Sequence, residues 1–393
     1  MAVISEPFDM NAWLERTKLV VCVGAGGVGK TTTAATIGLA GALRGRKAMV
    51  LTIDPARRLA NSLGLATIGN VGTKVDLASL GLDAEGELWA MMLDSRGTFD
   101  ALIAKFAPDE ASRDRILSNH VYRHMADTFA GSQDYMATEK LYDLVSSGDY
   151  DLIVLDTPPV KNALDFLESP GRLVNFLDER VLKWFLRTPG DTSLLGGRIM
   201  LGTSAIVFRL LGYVFGQDFL DDLATFFQDF QGLYNGFVER NNAVVALFRD
   251  EATSFVTVTA PNESSLDVAT FFQEELGRRS LPRGGIIVNQ VHECRGDDHD
   301  ADAAFGSLVK ERFPDVSERV AASVIARLGM AHKRLRALHL AELEMAEKVR
   351  QAGRGGGFYQ EVPRLDGNVH DITALFKVGR QLFRRARQLP PAR

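Results

Sequence analysis

The chain has 393 residues, an apolar fraction of 46% and a formal net charge of −5. That length suits one large α/β domain carrying an elaboration, or two domains. The mild acidity, with no basic stripe interleaved with aromatics, excludes nucleic acid as the expected partner. Two cysteines far apart, Cys22 and Cys294, make no disulfide framework and fit a reducing cytoplasm.

The N-terminal stretch MAVISEPFDMNAWLER has no long apolar core and does not read as a secretory signal. The first predicted strand is KLVVCV, an apolar, β-branched run. A glycine-rich loop follows it directly, within VCVGAGGVGKTTTAA (Val21–Ala35). Gly24, Gly29, Lys30 and Thr31 stand at the spacing G-x-x-x-x-G-K-T of a phosphate-binding loop. Between them lie Ala25, Gly26, Gly27 and Val28, and Thr32 closes the motif. Glycines let successive amide N–H groups point inward at phosphate oxygens. Lys30 supplies positive charge to the β- and γ-phosphates, and the Thr31 hydroxyl is placed to ligate Mg²⁺. The Ala-rich stretch after the loop, ending at Gly45, predicts a helix whose N-terminus faces the phosphates.

Further buried strands are predicted at KAMVLTID, LWAMML, DLIVLD, SFVTVT and GIIVNQ, with a weaker seventh at VAASVI near residue 320. Strands alternating with helical sequence predict an α/β fold with a doubly wound, mostly parallel sheet. Asp54 ends the second strand, with Pro55 fixing the turn after it; a carboxylate there can orient or deprotonate an attacking water. Asp156 ends DLIVLD, where an Asp holds Mg²⁺, often through water. Either aspartate alone could be a helix N-cap; together with the phosphate loop they read as an ATP site.

About sixty residues separate LWAMML from DLIVLD, and about a hundred separate DLIVLD from SFVTVT, far beyond an ordinary crossover. Both insertions read as helices, at about 95–147 and 163–250, forming a helical subdomain within a single domain spanning 1–393. The second is dense in Phe, Leu and Trp, especially from Phe208 to Phe237. It reads either as a subdomain core or as an apolar groove for a hydrophobic client. Within it Ile199–Gly216 is nearly long enough to span a bilayer, but Arg209 lies inside, and the stretch reads as a buried or groove-lining helix. At the C-terminus Ile372, Leu375, Phe376, Leu382 and Phe383 gather near one helical face, and Lys377, Arg380, Arg384, Arg385 and Arg387 lie mostly around it. That helix reads as packed on the sheet, with a peripheral membrane anchor of MinD type as the alternative.

GAGGVGKTTTAA, TIDPARRLANSLG, DTPPVKNALDFL, IIVNQ and EVPRLDGNVHDI resemble, in order, motifs of the ArsA family of ATPases. That family takes in the arsenite-pump ATPase and the targeting factor for tail-anchored membrane proteins. The resemblance runs from about residue 18 to about residue 376, and it implies a P-loop NTPase of the deviant Walker A type working as a dimer that closes on ATP. It implies that Gly24 to Thr32 hold the phosphates, that Asp54 belongs to switch I and acts on the water, and that Asp156 begins switch II. It further implies that Asn289 reads the adenine edge and that Val362 and Pro363 line the base.

The sequence departs from the family pattern in four places. Ala25 replaces the signature lysine that reaches across the dimer to the partner's phosphates; Arg57 or Arg58 could substitute, or a paralogous partner could carry the lysine. Cys294 stands alone, so the C-x-x-C zinc clasp of the eukaryotic factor is missing. Two isolated cysteines cannot form an arsenite site. Asn162 stands where switch II usually has histidine. The reading is therefore a cytoplasmic, dimeric ATPase, homodimeric or heterodimeric, using ATP and Mg²⁺ and slow when alone. Its expected output is capture and release of hydrophobic membrane-protein segments. The alternatives are an energising subunit of an anion transporter and a positioning ATPase at a membrane surface.

Overall fold

The structure, a computed structural model, describes residues 7–54, 58–119, 122, 133–158, 234–294, 298–354, 356–365, 371–384 and 386–389. Asn162, the Ile199–Gly216 stretch, Arg57 and Arg385 lie outside these residues, as does most of the Phe-rich segment.

Among the described residues nine strands form one sheet: β1 (Leu19–Val23), β2 (Lys47–Thr52), β3 (Thr73–Lys74), β4 (Glu87–Met92), β5 (Leu152–Asp156), β6 (Thr253–Thr259), β7 (Arg283–Val291), β8 (Phe358–Pro363) and β9 (Arg387–Gln388). Their spatial order is β3-β4-β2-β5-β1-β6-β7-β8-β9. Every pair from β4 to β8 is parallel, and only the two-residue edges β3 and β9 run antiparallel. The six stronger predicted strands are β1, β2, β4, β5, β6 and β7.

Helices cover both faces: α1 (Met10–Arg16), α2 (Lys30–Ala42), α3 (Arg58–Ser62), α4 (Ser95–Phe106), α5 (Glu110–Ser118), α6 (Gln133–Ser147), α7 (Tyr234–Arg249), α8 (Glu263–Arg278), α9 (Asp298–Arg312), α10 (Glu318–Ala352) and α11 (Ile372–Leu382). The two-residue period of β1 distributes its side chains between the layers. Val20 and Cys22 join the core under α2 and α11, whereas Leu19, Val21 and Val23 join the core under α6, α7 and α8. Burial on both faces is why the central strands read as unbroken apolar runs. On the second face Arg240 of α7 is ion-paired with buried Glu139 of α6, and its Nη2 donates to Asp143 at 2.9 Å. That bridge ties together the ends of two segments that are distant in sequence.

The structure corrects one predicted element. VAASVI is not a strand: residues 320–325 lie in the first turns of the 35-residue helix α10. Its β-branched residues mimic a short strand, but half-buried Ala321, Ile325, Leu328 and His332 recur at helical spacing on one side. The C-terminal helix is packed on the sheet, with Ile372, Leu375 and Leu382 buried. Phe383 is half-buried beneath the Arg44 guanidinium, 4.8 Å from its ring centre, and Phe376 stays partly exposed. The helix stops at Leu382, and Arg387 already belongs to β9. No helix among the described residues is long and apolar enough to cross a membrane.

Candidate nucleotide-binding site

The parallel strands deliver their carboxyl ends to one edge. Cys22 of β1 and Thr52 of β2 both pair with Asp156 of β5. The chain leaves β1 at the point where strands β5 and β6 diverge to either side, the crevice in which open α/β sheets bind ligands. Residues 24–29 span that crevice and lead into α2. Gly29 caps α2 in a left-handed conformation, φ +96°, that disfavours a side chain. A Cβ on Gly24 would lie 2.0 Å from the Val258 carbonyl oxygen of β6, so the loop and β6 approach too closely for any other residue. Gly26 and Gly27 face solvent, and Val28 is buried.

Lys30, at the first turn of α2, is 8% exposed and folds back so that Nζ donates to the Ala25 carbonyl at 2.9 Å. Burial pulls its pKa down, opposed by the negative charges of Asp156 and Asp54, while Arg58 adds to the depression. The Thr31 hydroxyl donates to Asp156 Oδ2 at 2.7 Å. Thr52 donates to the same oxygen at 3.0 Å and accepts the Asp54 N–H at 3.2 Å. Thr52 thus joins the two predicted switch aspartates, and sequence reading overlooked it; a lone hydroxyl closing the apolar run KAMVLT was the available signal. Asp54 is half-exposed, beyond the strand end.

Asp156 is almost wholly buried, and desolvation raises its pKa to about 6 despite two hydroxyl donors and Lys30. Its second oxygen, Oδ1, has no hydrogen-bond partner among the described residues. A buried carboxylate with one committed oxygen, one uncommitted oxygen and a threonine hydroxyl alongside is a donor set that suits a hard divalent cation. The residues therefore fit Mg²⁺.

The residues expected beside the adenine stand on the other flank. Asn289, near the end of β7, is half-buried and donates from Nδ2 to the Val28 carbonyl at 2.9 Å. Gln290, with φ +64°, reaches the Gly27 carbonyl at 3.3 Å. Sequence reading missed Gln290, and its unusual backbone leaves no compositional trace. Pro363 is half-exposed beside Val291, whereas the Val362 side chain is 2% exposed and packs into the core beneath the sheet. The structure therefore brings Lys30, Thr31, Asp54 and Asp156 together, sets Asn289 against the loop, and turns Val362 inward. Ala25 packs partly against the core, and Arg58 is exposed at the start of α3.

The anion-transporting ATPase family model matches residues 17–304. Similar curated proteins include ATPase GET3 of Podospora anserina, 27% identical over 271 residues, with the alignment covering 68% of this chain and 71% of that protein. ATPase GET3 of Paracoccidioides lutzii is 27% identical over 289 residues, covering 73% and 76%. ATPase ARSA2 of Chlamydomonas reinhardtii is 28% identical over 277 residues, covering 70% and 68%. The phosphate loop, the carboxylate edge behind it and the family match agree: the chain belongs to the ArsA family of ATPases and is an ATP-hydrolysing enzyme.

Proposed function

We propose that the chain is a dimeric ATP-driven switch that captures and releases hydrophobic segments of membrane proteins. Residues 24–32 cradle the phosphates through backbone amides, and Lys30 exchanges its Ala25 carbonyl for the β- and γ-phosphate oxygens. Thr31 and Asp156 would hold Mg²⁺, which would neutralise charge on the phosphates. Asp54 orients and deprotonates the attacking water. Asn289 has Nδ2 committed to the loop, which leaves its Oδ1 to accept from the adenine amino group. Pro363 lines the base, while the Val362 side chain supports it from within the core.

One observation carries the client reading: the Phe/Leu density of the second insertion, from Phe208 to Phe237, in a chain of the family that takes in the tail-anchored-protein targeting factor. The two insertions, about 95–147 and 163–250, would form the helical subdomain and its groove. Switch II begins at Asp156 and leads straight into the second insertion, so a change at the γ-phosphate has a short covalent route to it. In this reading the missing lysine at Ala25 is supplied by a paralogous partner in a heterodimer.

The test is capture of a synthetic apolar helix by the purified protein with ATP, with ADP and without nucleotide. Binding in one nucleotide state and release in another is expected. Failure to bind in every state would reduce the insertion to packed core.

A further inference from the structure

Helices α9 and α10 form a hairpin. Phe305 of α9 meets His332 of α10 with ring centres 6.0 Å apart, and Gly306 faces Ile325. The last third of α10 is rooted on the sheet, where Ala346 and Val349 join the core formed by Ile286, Val288 and Tyr359. Its base is also joined to the loop after β7. Glu342, 4% exposed, accepts from the His292 backbone N–H at 2.7 Å and lies 2.6 Å from His292 Nδ1.

The rest of α10 is an arm with an unusual surface. Val320, Val324, Leu335 and Leu338 are between 38% and 52% exposed. Spacings of 4, 15 and 18 residues from Val320 place all four on one stripe, about 27 Å long at 1.5 Å per residue. From Arg319 to Leu340 the sequence has Arg319, Arg327, Lys333, Arg334 and Arg336 and no Asp or Glu, in a chain whose net charge is −5. Arg327 and Arg334, both exposed, fall along the edge of the stripe.

We propose that this arm lies on an anionic membrane surface. Val320, Val324, Leu335 and Leu338 enter the boundary between headgroups and acyl chains, and Arg327 and Arg334 reach the lipid phosphates. The charge pattern selects this occupant. A second copy of the arm would bring like charges together, and a nucleic acid would leave the apolar stripe in water. The inference does not rest on the client reading.

The experiment is sedimentation of the full-length protein with vesicles of equimolar phosphatidylcholine and phosphatidylglycerol, and with vesicles of phosphatidylcholine alone. The protein is expected to bind only the anionic vesicles, and more weakly as salt rises. R327A/R334A should weaken that binding by about 30-fold, from the usual contribution of two basic residues at an anionic surface, and L335E/L338E should abolish it. Calorimetric ATP binding by both variants reports that they are folded. Equal binding to both vesicles, no binding by wild type, or wild-type binding by both folded variants would each overturn the proposal. So would light scattering that shows L335E/L338E converting a dimer to a monomer while vesicle binding persists, because the stripe would then be covered by a second copy.

Discussion

The phosphate edge and the α9–α10 arm invert the usual rule of burial in opposite senses. At the edge, charged and polar groups are taken out of water: Lys30, Thr52 and Asp156 are all buried. On the arm, apolar side chains stay in water: Val320, Val324, Leu335 and Leu338 are between 38% and 52% exposed. A buried carboxylate is costly unless compensated, and exposed contiguous apolar surface marks an interaction site. At the edge the donor chemistry points to the partner, because Asp156 Oδ1 and the Thr31 hydroxyl suit a cation. On the arm it has to be inferred from charge and shape. The edge is therefore where chemistry is held ready, and the arm is where the protein meets something larger.

The contrast sharpens with changes that touch one region alone. The largest expected gain of activity is at Ala25. Ala25→Lys in the purified chain should raise ATP turnover by about tenfold or more, since a charge placed on the developing negative charge of the γ-phosphate is among the strongest contributions in this chemistry. Steady-state phosphate release measures it. Rapid turnover by wild type, unchanged by the substitution, would remove the case for a lysine-bearing partner.

A second expectation concerns pH. Burial holds the Asp156 pKa at about 6, above the ordinary value of about 3.9. Between those values the ligand-free native state binds more protons than the unfolded chain, so this group's contribution to stability falls as pH rises from about 4 to 6. Metal binding needs the ionised form. Apparent Mg²⁺ affinity should therefore drop about tenfold per unit below pH 6, and calorimetric titration of Mg–ATP at pH 7, 6 and 5 should show it. A flat affinity across that range would mean that Asp156 is ionised throughout. The smallest effect should come from R327A/R334A on ATP turnover without vesicles, within about twofold, as expected of exposed positions away from the site; a large loss would mean that arm and edge are not separable.

Much of the fold was legible because the central strands are buried on both faces, which writes them as unbroken apolar runs. The phosphate loop was legible because close backbone approach forces glycine at Gly24 and Gly29. What failed to show has physical reasons. β3 and β9 are two residues long and carry no period. β8, FYQEVP, has Gln360 and Glu361 in its middle and lacks the apolar continuity of its neighbours, although Gln360 is buried and donates to the Gln381 carbonyl. VAASVI was misread because a helix half-clothed by α9 keeps β-branched residues exposed. Thr52 was missed because its role is to join two aspartates that are distant in sequence. His292 and Glu342 are fifty residues apart, and nothing local in either segment announces the other.

The most direct test of the central claim, that Asp54 and the Lys30–Thr31–Asp156 cluster form a working ATP site, is Asp54→Asn. The substitution keeps size and shape and removes only the carboxylate proposed to act on water. ATP affinity by calorimetry should stay at the wild-type value, while phosphate release should fall by about 10²–10⁴. Hydrolysis by Asp54→Asn at the wild-type rate would contradict the assignment.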